Sequence, residues 1–216
     1  MNESKLTIQL EVITELWIKA ENELQDFYEE FAELLIQFDD TYHSDFQYFG
    51  YINAWCDWLD DHDIYDLDFD EIVEELKHKS FEDYRDYFNG YKSKQLTDLR
   101  RHRENEKRNL ESLSNKMNRA VGRYSKSEVV RVDLAYLQSC HDVIDIKMFY
   151  QDLEELRKAI VKRKDPFHDL VDFAWALEQG ETKGYHCHLL LIFNGHQRQK
   201  GWGIADKIGK LWKRIT

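Results

Sequence analysis

The chain has 216 residues and a mass of 26.1 kDa, 42% apolar and 14% aromatic, enough for one large or two modest domains and too hydrophobic for a disordered segment. No apolar run reaches the roughly 18 residues of a membrane span, and Met1 to Thr7 lacks the charged-then-apolar layout of a signal peptide. Membrane-spanning and secreted classes are therefore excluded and a cytoplasmic protein is expected. The cysteines, Cys56, Cys140 and Cys187, are odd in number and without CxxC spacing, which points to free thiols rather than disulfides or a cysteine zinc knuckle.

Charge divides the chain. Residues 1–90 hold 25 Asp and Glu against 5 Lys and Arg, whereas residues 91–216 hold 17 against 25, so a whole-chain net charge of −12 conceals a basic second half. A phosphate backbone feels the local field, so single-stranded DNA remains an eligible partner for that half. The acidic half is an eligible surface for a protein partner, and its charge on a helical scaffold resembles that of a nucleic acid.

In chain order, Leu6, Leu10, Ile13, Trp17, Ala20, Leu24, Phe27, Phe31, Leu34 and Phe38 step by threes and fours. This seam predicts one helix or two nearly collinear ones packed on a partner of similar length, for which Leu96, Leu99, Leu110, Leu113, Met117 and Val121 are the candidate. Residues 42–92, with acids at Asp57, Asp60, Asp61, Asp63, Asp66, Asp68 and Asp70, read as short helices and loops. The basic run Arg100 to Arg108 fits either a solvated helix face or a phosphate-tracking one.

After Arg123 the period changes. Glu128 to Leu137 alternates apolar Val130, Val132 and Leu134 with Arg131 and Asp133, the pattern of a strand buried on one face. Asp145 to Lys164 returns to helical period and stops before Pro166. Leu170–Gln179 and Tyr185–Phe193 are strands joined by the glycine-flanked loop 180–184, an antiparallel hairpin. Ile204 to Ile215 is an amphipathic helix with a basic face; Trp202 and Trp212 are candidates for base stacking or for burial.

The hairpin carries the chemistry. Residues two apart on a strand share a face, so His186 and His188 project together while Cys187 enters the opposite layer. A turn centred on Thr182 places Glu178 opposite His186, about 4.5–5.5 Å away between Cβ atoms. A carboxylate and two imidazoles on rigid strands suit a divalent cation, Mn²⁺ or Mg²⁺ with Zn²⁺ also tolerated. By the bland reading, the histidines are hydrogen-bonded structural residues.

The strings VVRVDLAY (Val129 to Tyr136) and WALEQGETKGYHCHLLLIFNG (Trp175 to Gly195) resemble the His-hydrophobic-His endonuclease superfamily, and within it the inovirus gene-two-protein family of replication initiators. The resemblance covers roughly residues 120–215. It implies a phage or mobile-element protein whose core is a ferredoxin-like antiparallel sheet with flanking helices. Glu178, His186 and His188 would hold the metal, and the reaction would be DNA nicking by a tyrosine. In that family the tyrosine lies downstream of the metal motif, and no tyrosine follows His188 in this chain; Tyr150 and Tyr185 read as packing residues. The expectation is thus an α+β protein, an acidic helical domain over 1–122 followed by a partial His-hydrophobic-His core over 123–216. Its function is metal-dependent nicking of single-stranded DNA. The alternative is a catalytically dead relative whose acidic half mimics DNA and inhibits a nucleic-acid-binding complex.

Overall fold

A computed structural model describes residues 2–62 and 64–216; Asp63 of the acidic cluster lies outside them. Among the described residues helices make up 58% beside one three-stranded antiparallel sheet, an α+β class with N-terminal helices. Two compact units divide it, one of residues 6–104 and one of residues 2–5 and 105–216.

The first unit contains most of α1 (Glu3–Lys19), then α2 (Phe27–Asp39), α3 (Ile52–Asp61), α4 (Phe69–Leu76), α5 (Phe81–Gly90) and the start of α6 (Lys92–Arg123). Its core is aromatic: Trp17 packs against Phe27, Phe31, Trp55 and Phe88 with ring centroids 4.9–5.5 Å apart. Capping boxes at Asp68 with Glu71 and at Ser80 with Asp83 start α4 and α5 by satisfying orphan amides at each helix end.

Two expectations are corrected here. The seam from Leu6 to Phe38 is not one rod: the helix ends at Lys19, and the chain turns through Asp26, whose φ is 58°. A collinear pair would hold Trp17 and Phe31 about 20 Å apart, fourteen residues at 1.5 Å each; their centroids are 5.2 Å apart, so α2 folds back on α1. Nor does α6 supply the partner. Leu96, Leu110 and Val121 are 60%, 65% and 63% exposed, and the first unit's core is built from α1 to α5 with Ile64. The run Arg100 to Arg108 lies in a wholly exposed stretch of α6.

The second unit has the end of α6, then β1 (Ser127–Ala135), α7 (Ile146–Val161), β2 (Leu170–Gly180), β3 (Gly184–Asn194) and α8 (Gly201–Ile215). Strand order is β1-β3-β2. Alternation sorts the sheet into two faces. Val130 and Leu134 join Cys187, Leu189, Leu191 and Phe193 on the face that α7 and α8 cover, through Phe149, Leu153, Leu156, Ile160, Ile204, Ile208 and Trp212. The N-terminal residues 2–5 dock on this unit. Glu3 accepts the amide of Ile146 at the start of α7 at 2.9 Å, and Ser4 donates to the Gly180 carbonyl at 3.3 Å.

Candidate metal centre

The register pairs Glu178 with His186 and Asp133 with His188, so both sheet neighbours of β3 place a carboxylate beside a histidine. The face is set by Cys187. Its side chain is fully buried beneath the helices, burial pushes its thiol up to about 12, and the flanking histidines must therefore point to the opposite face.

There Glu178, His186 and His188 bring ligand atoms within 4.8 Å of one another, a group that can hold a metal ion. The Glu178 Oε2 lies 3.4 Å from Nε2 of His186 and 3.3 Å from Nε2 of His188. Ligands at ~2.1 Å from an ion stand ~3.0 Å apart at right angles and ~3.4 Å apart at the tetrahedral angle, so these separations fit edges of one coordination shell.

The far nitrogens are each held by an acceptor. His186 Nδ1 lies 3.1 Å from the Gly184 carbonyl, which only accepts, so Nδ1 carries the proton. His188 Nδ1 lies 2.7 Å from Asp133 Oδ1, and Asp133 is held by Arg131 Nε at 2.9 Å. The Arg131 guanidinium, with the His188 contact beside it, holds the Asp133 carboxyl down at about 2, so this acceptor stays ionised and His188 donates from Nδ1. Both Nε2 atoms then face one carboxylate oxygen, that of Glu178. The outer hydrogen bonds, to the Gly184 carbonyl and to Asp133, are of the kind that orient metal-binding imidazoles.

The protein shell is half closed. His186 is 7% exposed, whereas the Glu178 side chain is 53% exposed, so one side of the group faces solvent. On β2 the residues beside His188 and Leu190 on this face are Ala176 and Ala174, whose small side chains leave a shallow floor. Open positions on the ion are the mark of a centre that admits a substrate.

The other candidates fall elsewhere. Tyr185 is buried on the helix-covered face, stacked on Phe149 with centroids 5.7 Å apart, and Tyr150 is 56% exposed on α7. Trp212 is buried and donates to the Ala135 carbonyl, whereas Trp202 is 84% exposed. Sequence reasoning missed Asp133 and Arg131 as members of the site. The signal was present: their alternation against Val130 and Val132 assigns them to the face opposite the helices, where both are exposed.

No curated protein and no solved structure matches the chain. Residues 83–216, well over half of it and including the whole sheet, match the YagK/YfjJ C-terminal domain, and the chain belongs to that family.

Proposed function

We propose that the protein is a metal-dependent endonuclease that nicks single-stranded DNA, acting as a replication initiator of a phage or mobile element in the cytoplasm. The carrying observation is the convergence of the two Nε2 atoms and the Glu178 carboxylate on the sheet face opposite α7 and α8. Mn²⁺ or Mg²⁺ fits the open, oxygen-bearing donor set, and Zn²⁺ fits its two imidazoles. The ion would polarise a phosphoryl oxygen. An oxygen nucleophile then forms a bond to phosphorus as the P–O3′ bond breaks, and the departing 3′ oxygen takes a proton. The excess of basic over acidic residues in 91–216 and the exposed run Arg100 to Arg108 support DNA as the substrate.

The test is cleavage of a labelled single-stranded oligonucleotide with Mn²⁺. Cleavage is expected with the wild type and absent with EDTA or in His186→Ala/His188→Ala. Full activity of that double variant overturns the proposal. The product also identifies the nucleophile, since a tyrosine leaves the 5′ end protein-linked and water leaves a free 5′ phosphate.

A second reading, favoured by Tyr185 facing the helices and by the acidic first half, is a relative without covalent catalysis that binds a nucleic-acid-binding complex. Binding would then survive loss of both histidines and fail when acids between Asp57 and Asp70 are reversed.

A further inference from the structure

We propose that Arg131 forms, with the ion, a site for one phosphodiester, and that Asp133 holds it in place; this rests on the nuclease reading and names the group that fixes the scissile phosphate.

Arg131 is two residues before Asp133 on β1, pairs with Leu190, and so shares a face with His188. Its Nε and Nη2 donate to the two oxygens of Asp133 at 2.9 and 3.4 Å. The guanidinium is thereby held beside the metal group, with Nη2 3.1 Å from Nδ1 of His188. A guanidinium has five N–H donors. Asp133 takes two, and the side chain remains 63% exposed, so donors are left facing the solvent side from which a substrate enters.

Charge says what they await. With neutral imidazoles, a divalent ion set among Glu178, Asp133 and Arg131 leaves one positive charge uncompensated. A phosphodiester carries one negative charge, and its two free oxygens can bridge the ion and the guanidinium, an arrangement that Arg suits better than Lys.

Two measurements on the full chain test this. Titration calorimetry reads Mn²⁺ binding to the apoprotein and then dimethyl phosphate binding to the Mn²⁺-loaded protein. Arg131→Ala is expected to keep Mn²⁺ affinity within about threefold and to weaken dimethyl phosphate at least tenfold, with Arg131→Lys between. Nicking by Arg131→Ala is expected to lose at least a hundredfold in kcat/KM. Equal dimethyl phosphate affinity in Arg131→Ala and wild type overturns the proposal, as does an equal nicking rate. If wild type binds Mn²⁺ and dimethyl phosphate through Arg131 but cleaves no DNA, the nuclease reading fails and the anion site stands.

Discussion

His188 and Asp133 lie 55 positions apart in sequence and 2.7 Å apart across the β1-β3 ladder, with Nδ1 donating to the carboxylate. That bond turns Nε2 toward Glu178. Asp133→Ala should therefore weaken Mn²⁺ binding about 10–100-fold while leaving every direct ligand in place. Calorimetric titration of the apoprotein checks it. An unchanged affinity would mean that the ring is oriented by packing alone.

The second imidazole depends on the hairpin turn. Gly184 has φ +60°, a conformation that strains any residue with a Cβ, and its carbonyl fixes the His186 tautomer. A Cβ there would meet the His141 ring at 3.6 Å, ordinary contact, so the penalty is conformational rather than steric. Gly184→Ala should cost about 1–2 kcal/mol in urea unfolding and weaken the metal as well. Loss of stability with unchanged metal affinity would separate the turn from the site.

Much of the second unit was legible because its signals are local. The glycines at 180 and 184 pin a turn, and numbers summing to 364 then fix the register that the structure has at Glu178 and His186. Alternation alone assigned Cys187 to the core. The β1-β3 pairing that brings Asp133 and Arg131 to the site is nonlocal, so its register is not written in either strand. In the first unit, the period of three and four ran on through Ala20 and Leu24 and hid the reversal at Asp26, because tertiary aromatic packing rather than a gap in the pattern ends α1. On α6 the leucine spacing carried no information about burial: most of its surface is polar, and its exposed leucines lie outside both cores.

A pH dependence is built into the first unit. Glu11 on α1 accepts from Gln95 of α6 at 3.0 Å, and both sit against Gly50, where a Cβ would fall 1.6 Å from the Gln95 carbonyl oxygen and 2.7 Å from a Glu11 oxygen. Burial outweighs the Gln95 hydrogen bond and raises the Glu11 carboxyl from 4.5 to about 7. Between these values the folded state binds the extra proton. The contribution to stability is therefore complete below pH 4.5 and is lost as pH rises through 7. Glu11→Gln removes the titration. Relative to that variant, the wild type should lose up to about 3 kcal/mol between pH 4.5 and pH 8. Parallel urea midpoints for the two proteins across that range would refute it.

The two tryptophans of α8 separate burial from exposure within one helix. Trp212 is 3% exposed, packs in the second core and donates Nε1–H to the Ala135 carbonyl at 3.0 Å, tying α8 to the end of β1 beside the His186 pair. Trp212→Phe leaves a cavity and an unmet carbonyl, which should cost about 1–3 kcal/mol. Trp202, ten residues earlier and 84% exposed, contributes little packing, and Trp202→Ala should stay within about 0.5 kcal/mol of wild type. Urea unfolding of both variants, with acrylamide quenching of the native proteins, reads the difference. The quenchable red-shifted emission should fall in Trp202→Ala, leaving the part from the partly buried Trp175, and persist in Trp212→Phe; the reverse assignment would place the wrong face of α8 on the sheet.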